Sequence, residues 1–406
     1  MKVIVLGGGA SGMMAALTAA ENPANQVTLL ERQNRVGRKL LATGNGRCNL
    51  TNLHAGQENY HGTSPAFAVP ALTAFSVSDT LAFFSDLGLM TVAEPSGKVY
   101  PFSDQANSVV DVLRLALDAR GVQVICGCEI TSISKKARGY SLKSADASYF
   151  ADKLIVACGG SAGSKLGGTD LGYKLLTALG HRLIPPKPSL VQIKTDTAYT
   201  RGLKGVRADA GVILKRDGHV VTQDAGEIQF TDFGVSGPTI FSLSREAAAG
   251  GDQVLLLDLL RPLSEEETVS FLLKKQQAMP SNALEDFLTG MLHNRLGRVV
   301  LTSCGYSLDL PSSALSEKDI RTITHRIKFF PLSVTGVMGL EQAQVTAGGI
   351  ATADFRADTL ESRLCPGLFV TGELLDIDGD CGGYNLQWAW SSGRLAGKLG
   401  ISGEKL

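Results

Sequence analysis

Val3-Ile4-Val5-Leu6 is an unbroken apolar run that ends in Gly7-Gly8-Gly9-Ala10-Ser11-Gly12. Such a run predicts a short strand buried on both faces, as in a parallel sheet. Met, Ala and Leu dominate residues 13–20, which predicts a helix. Residues 26–31, Gln-Val-Thr-Leu-Leu-Glu, predict a second strand closing on an acid. Between Val122 and Phe150, β-prone runs broken by turn residues predict an antiparallel meander. Residues 153–158, Lys-Leu-Ile-Val-Ala-Cys, predict another buried strand that runs into Gly159-Gly160.

The pattern changes at Pro185-Pro186-Lys187-Pro188, where three prolines in four residues predict an end to regular structure and a domain crossing. From Leu190 to about Ser244 the chain is strand-like, with Asp217-Gly218 as a hairpin turn. From Leu263 to about Arg326 it is helical, with Ser264 and Glu267 spaced as a capping box and Ser316 and Asp319 as a weaker one. Glycines and short apolar runs return from Val345, and a final helix is predicted over residues 386–399. This pattern predicts a discontinuous nucleotide-binding domain (residues 1–188 and 345–406), a β-rich insertion (189–255 and 328–344) and a helical subdomain (256–327).

Composition narrows the classes of function. Hydrophobic residues make up 44% of 406, enough for a real core in two or three domains. Lys plus Arg equals Asp plus Glu at 39 each, so no basic excess points to nucleic acid or an anionic membrane. The 46 glycines cluster rather than repeat, as where backbone approaches backbone or a ligand. Seven cysteines without a CxxC pair predict neither a disulfide framework nor a zinc site. The first apolar run is too short for a signal peptide, and no stretch of about 18 apolar residues exists to span a bilayer. A soluble, cytoplasmic protein is the expectation, with its oligomeric state open.

Gly7, Gly9 and Gly12 match the dinucleotide fingerprint GxGxxG and sit where its mechanism needs them, after a strand and opening a helix. Gly7 permits the tight turn, Gly9 lets a pyrophosphate approach the backbone, and Gly12 lets helix and strand pack closely. The helix start at Ala10 and Ser11 offers N–H donors to the phosphate. Glu31 stands at the end of the second strand, where a carboxylate accepts from ribose hydroxyls, with Arg32 beside it. These features alone fit NAD or FAD.

Two further clusters favour FAD. Residues 37–49 carry Arg38, Lys39, Leu40, Thr43, Gly44, Gly46, Arg47 and Asn49, a glycine-bearing loop able to wrap a long ligand and offer cations to it. The tail from Gly372-Glu373 to Gly382-Gly383-Tyr384-Asn385-Leu386 opens the final helix. Two chain ends converging on one cofactor suit an extended dinucleotide.

At these residues the sequence resembles the aminoacetone-oxidase family of FAD-dependent enzymes, which includes a reductase of unsaturated 3-oxo bile acids. The likeness spans nearly the whole chain. It is carried by GGGASGMMAA (7–16), GRKLLATGNGRCNLTN (37–52), KVYPFSDQANSVVDVL (98–113), GEIQFTDFGVSGP (226–238), VTAGGI (345–350) and the long segment 367–397. The resemblance implies a glutathione-reductase-like FAD-binding Rossmann domain, an inserted β-barrel-like domain and a small helical domain. It implies Glu373 on the ribityl chain, backbone at Asn385 and Leu386 against the flavin pyrimidine, and Ala157, Gly159 and Gly160 beside the cofactor. A main-chain contact to adenine would fall at Glu129 or Ile130. Two positions depart from the family pattern: Asp232, where many relatives carry His, and Cys158, where Thr is commoner.

Flavin supplies the redox chemistry, and the protein supplies binding, orientation and electrostatics. Arg47 is the candidate cation for reduced flavin or substrate, with a phosphate or structural contact as the alternative. Tyr384 is the candidate proton donor, with simple packing as the alternative. Trp388 and Trp390 are expected to pack. No second GxGxxG follows a strand, so NADH or NADPH would dock without a Rossmann domain of its own, or a substrate would reduce the flavin directly. The expectation is an FAD-dependent oxidoreductase acting on a small molecule, leaning to NAD(P)H-linked reduction of an activated C=C. The alternatives are a flavin oxidase of a small amine such as aminoacetone, producing peroxide, and a non-catalytic, redox-responsive flavin protein.

Overall fold

The computed structural model describes residues 1–400. The chain divides into two compact units, one of Met1–Lys187 with the segment from Gln344 onward, the other of Pro188–Ala343. The last six residues of the predicted span 345–406 lie outside the described part.

The first unit is built on a five-stranded parallel sheet. Its spatial order is Leu368–Val370, Lys153–Val156, Lys2–Leu6, Gln26–Glu31, Gln123–Cys126. The first strand is central, with Val3 paired to Lys153 on one side and Val27 on the other. That is why its residues are apolar on both faces: Val3, Ile4, Val5 and Leu6 are all buried. The helix after it runs over Ala10–Ala19, three residues earlier than its composition suggests, because Gly9 itself is the N-cap. Nine of its ten residues are buried, so it is a core helix rather than an amphipathic one.

The final helix, Tyr384–Gly397, packs on this first helix. Small residues make that approach possible. A Cβ on Gly393 would collide with the Ser11 carbonyl, and one on Gly397 would press into Ala15 and Thr18. Trp388 and Trp390 are buried as expected, and each indole N–H is satisfied, by the carbonyls of Gly372 (3.1 Å) and Leu50 (2.9 Å).

The second unit holds a closed six-stranded barrel in the order Ile193–Thr195, Gly234–Ser236, His219–Phe230, Arg207–Arg216, Gln253–Asp258, Phe330–Val337. Alternate residues point inward, among them Ala210, Val212 and Leu214, then Leu255 and Leu257. Asp217 and Gly218 both have positive φ, 50° and 81°, and make the expected tight hairpin. Helices Glu265–Ala278, Asn294–Ser303 and Glu317–Lys328 lie between the last two barrel strands. Both capping boxes form, Ser264 with Glu267 and Ser316 with Asp319.

Three local expectations are corrected. The prolines do not end regular structure: Leu183–Ser189 is extended and pairs with Val345–Ile350. Proline suits extended backbone where its missing N–H faces away from the partner strand. Pro238–Ala247 is a helix inside the region that reads as strand, with Pro238 at its favoured first turn. The meander comprises only the strands from Ser132 to Ala151, since Gln123–Cys126 joins the parallel sheet. Among the described residues no single helix is long and apolar enough to cross a membrane; a bent pair, Pro65–Ala74 with Val77–Asp86, reaches that length only jointly.

Candidate functional site

Gly7 leaves the first strand at φ 112°, and a Cβ there would strike the Ala157 carbonyl. A Cβ on Gly12 would strike the Gly7 carbonyl. Both glycines are therefore demanded by close backbone packing. Gly9 differs: a Cβ there would meet no atom within 4 Å, and the same holds at Gly46 and Gly159. At these three positions the backbone borders open space.

The helix at Ala10 starts with no side-chain cap and no acid in its first turn, and so does the helix at Tyr384. Helices at Val77, Glu265 and Glu317 instead carry Ser-based capping boxes, while those at Val69, Ala106, Leu171 and Pro238 are likewise uncapped. The first two thus keep N–H donors and positive partial charge available to an anion or an acceptor. Ala10 and Ser11 form the first turn of one; Asn385 and Leu386 form the first turn of the other.

Between the predicted loop and the last helix lies an orphaned acceptor. Asn49 Oδ1 is buried without a hydrogen-bond partner and is 2.9 Å from where a Cβ on Gly383 would stand. A buried acceptor left unpaired costs roughly 1–3 kcal/mol. A ligand bearing an N–H or O–H at this point removes that cost.

Glu31 is already engaged: Oε2 accepts from the Gly8 N–H (2.6 Å) and Oε1 from the Gln33 N–H (2.7 Å). This fixes the carboxylate while leaving each oxygen a further lone pair. Beside it, the Cys128 N–H donates to the Glu31 carbonyl, which brings the chain leading to Ile130 alongside. Arg32 donates to the Gly167 carbonyl at 3.1 Å and lies 3.8 Å from Glu129.

Lys39 and Glu373, 334 residues apart, form an ion pair of 2.7 Å. Glu373 also accepts from the Thr346 N–H at 2.8 Å, while Thr346 Oγ1 accepts from the Ala162 N–H. A Cβ on Gly160 would strike both Thr346 Oγ1 and Glu373 Oε1. Thr346 was missed by sequence reasoning, although it lies in the quoted VTAGGI motif. Tyr173 was missed too; its buried hydroxyl faces this group, and burial, with help from Glu373, raises its pKa.

The loop from Lys39 is a tight turn, Leu40–Gly46, in which Gly44 and Asn45 take left-handed φ near 57°. Leu40 is buried, and the Thr43 hydroxyl donates to its carbonyl at 2.6 Å. Arg38 points outward to Gln33 at 2.6 Å. Arg47 lies 4.0 Å over the Tyr100 ring and pairs with Asp104 and, at 3.3 Å, Glu94. Hydrogen bonding to Asp104 keeps its guanidinium firmly protonated.

Tyr384 is half-buried, and burial, then Asp380, Glu58 and Cys381, raises its pKa. Asn385 contributes more than backbone. Its side chain receives the Gly379 N–H (2.8 Å) and donates to the Gly379 and Asp380 carbonyls (2.7 and 3.2 Å), clamping the turn before the helix. Burial pushes the Cys48 and Cys158 thiols up to about 12, so both stay protonated near neutral pH.

The profile of the HI0933-like protein Rossmann domain matches residues 1–399. The chain is 38% identical over 402 residues to the 3-dehydro-bile acid delta(4,6)-reductase of Clostridium scindens, covering 98% of both chains. It is 29% identical over 394 residues to the ribosomal RNA dihydrouridine synthase of Escherichia coli, covering 96% of this chain and 95% of that one. Among solved structures, the 3-ketosteroid delta1-dehydrogenase of Sterolibacterium denitrificans superposes with a TM-score of 0.50 at 12% identity, with 98% of each chain covered. That last likeness is one of fold.

Proposed function

The chain belongs to the HI0933-like protein Rossmann-domain family, and from that premise we propose that this FAD-dependent oxidoreductase reduces a carbonyl-activated C=C by flavin hydride transfer, with NADH or NADPH as donor. The observation that carries the reading is the orphaned Asn49 oxygen beside the uncapped helix N-terminus at Gly383, together with the uncapped N-terminus at Gly9, where the backbone borders open space. The end at Gly9 suits the pyrophosphate, at Gly7, Gly9, Ala10, Ser11 and Gly12. Glu31, Arg32 and Ile130 suit the adenosine, and Lys39 with Glu373 suits the ribityl hydroxyls. The end at Gly383, with Asn49, Asn385 and Leu386, suits the flavin pyrimidine, whose ring presents both an N–H and carbonyl acceptors.

The substrate class rests on what two relatives have in common. A 3-dehydro-bile acid delta(4,6)-reductase and a dihydrouridine synthase both saturate a C=C conjugated to a carbonyl. The first favours a small apolar enone. The second favours a uridine in RNA, and it removes the support that net neutrality lent to excluding nucleic acid. We place the small molecule first, since the identity to the bile-acid reductase is higher.

The test is an absorbance spectrum of the purified protein under anaerobic conditions, first with NADH or NADPH and then with a 3-oxo-4,6-diene bile acid. Bleaching by one nucleotide and recolouring by the enone is the expected result. Recolouring by a uridine-bearing RNA in place of the enone selects the second substrate. Bleaching by an amine, with peroxide formed on admitting air, selects an oxidase. A protein that neither carries nor takes up FAD defeats the proposal.

A further inference from the structure

A histidine–carboxylate pair stands at the same helix end and belongs to none of the groups above. Residues Tyr60–His61 pair antiparallel with Asp378–Gly379, so His61 lies opposite Asp378 and Tyr60 opposite Gly379. Asp380 follows directly. Its Oδ1 is 2.7 Å from His61 Nε2, its Oδ2 accepts from the Asn59 amide at 3.1 Å, and its N–H donates to the Asn59 carbonyl at 2.9 Å. The dyad is tied to the last helix twice: by the Asn385 clamp on Gly379 and Asp380, and by the Tyr60 hydroxyl, which donates to the Tyr384 carbonyl at 3.1 Å. His61 keeps about a third of its side chain exposed, and among the described residues its Nδ1 meets no hydrogen-bond partner.

A carboxylate that fixes one imidazole nitrogen while the other faces outward is a proton-transfer arrangement. The phenols nearby are poorer donors. Burial pushes Tyr60 and Tyr384 further above their ordinary value of about 10. We propose that His61, oriented by Asp380, is the proton donor for the C=C reduction. This rests on the flavin ring lying at the N-terminus of the last helix, as proposed above. Reduced flavin gives a hydride, with its two electrons, to the β-carbon of the enone. Protonated His61 gives the Nδ1 proton to the α-carbon and is left as neutral imidazole, its remaining Nε2–H held by Asp380. Solvent then restores the proton at the exposed ring edge. Asp380 is the positioning residue.

The test uses FAD-loaded protein reduced anaerobically with dithionite. Reoxidation is followed with a 3-oxo-4,6-diene bile acid, and separately with ferricyanide, which takes electrons and needs no proton. H61Q is expected to slow enone-driven reoxidation by about 10²–10⁴-fold, with the flavin spectrum and the ferricyanide rate retained. D380N, which keeps an oxygen acceptor, is expected to show the same selective loss to a smaller degree, and it carries the test if H61Q does not fold. Wild-type rates with the enone in H61Q and D380N overturn the proposal. So does an equal loss with both oxidants, the mark of a purely structural role. A selective loss in Y384F without one in H61Q gives the proton to the phenol and also overturns it. If wild-type protein is reoxidised by neither the enone nor a uridine-bearing RNA, the C=C reading falls, and this inference with it.

Discussion

Asn49 shows how a single buried atom can report on a ligand. Its Oδ1 is buried without a donor, just beyond the turn Leu40–Gly46, while the neighbouring Cys48 and Leu50 N–H groups reach the Thr43 and Val99 carbonyls. Replacing it with Leu removes the acceptor at similar volume. The apoprotein should then hold its stability or gain about 1 kcal/mol, while FAD affinity falls at least tenfold. Thermal unfolding of the apoprotein and flavin-fluorescence titration read the two effects in opposite directions, which a general packing defect cannot do. His181 offers a second test. It is buried, stacked on Phe355, and bonded to the Leu176 carbonyl and the Ser362 hydroxyl. Burial lowers its pKa below the ordinary value of about 6.5. The unfolded chain therefore takes up this proton at a higher pH than the folded one does. The stability that neutral His181 provides is complete above about pH 6.5 and is lost as pH falls from there through the lowered folded value. In H181N, the decline in melting temperature between pH 7 and pH 5 should be shallower than in wild type.

At the scale of elements, the contact between the first and last helices depends on glycine. Gly393 lies where a side chain would meet the Ser11 carbonyl and Met14. G393L should separate the helices, cost about 1–3 kcal/mol by overpacking, and loosen FAD, because Ser11 opens the helix that faces the pyrophosphate. Differential scanning calorimetry with and without added FAD checks both. The helix at Glu265 answers to a different rule. Ser264 accepts the Glu267 N–H, and Glu267 Oε2 accepts the Ser264 N–H at 2.8 Å. S264A should cost about 1 kcal/mol and leave flavin retention unchanged, since this cap lies in the other unit.

For the whole molecule, the decisive fact is that two hydrophobic cores exist. One runs from Val3 to Leu399 through the parallel sheet; the other runs from Ile193 to Leu332 through the barrel and its helices. The barrel is closed, so it exposes no unpaired strand edge. Residues 188–343, produced alone, should therefore fold and unfold cooperatively without flavin. Circular dichroism melts of that fragment test this; a broad, non-cooperative melt would mean that its core is incomplete. Residues 1–187 and 344–400, by contrast, meet only through tertiary structure, because the strand Leu368–Val370 completes a sheet begun by Lys2–Leu6.

The short-range features follow from the sequence because their causes are local. Gly7, Gly9 and Gly12 act through a turn a few residues long, Gln26–Glu31 closes on its acid where the run says, and Ser264 caps its helix through Glu267, three residues on. Asp217-Gly218 turns a hairpin for the same reason. What depends on distant partners was decided only in the folded chain. Lys39 meets Glu373, and His61 meets Asp380, across more than 300 residues that no spacing rule connects. Arg47 reads either as a cation for flavin or substrate or as a phosphate or structural contact, and its partners Tyr100, Glu94 and Asp104 come to it only with the small sheet of Thr51–Asn52, Thr91–Ala93 and Lys98–Pro101. Leu183–Ser189 reads as a break because proline lacks an N–H, and only its pairing with Val345–Ile350 makes it a strand. Sequence periodicity records which faces a residue must bury; which side chain waits on the other side is set by the packing of segments far apart in the chain.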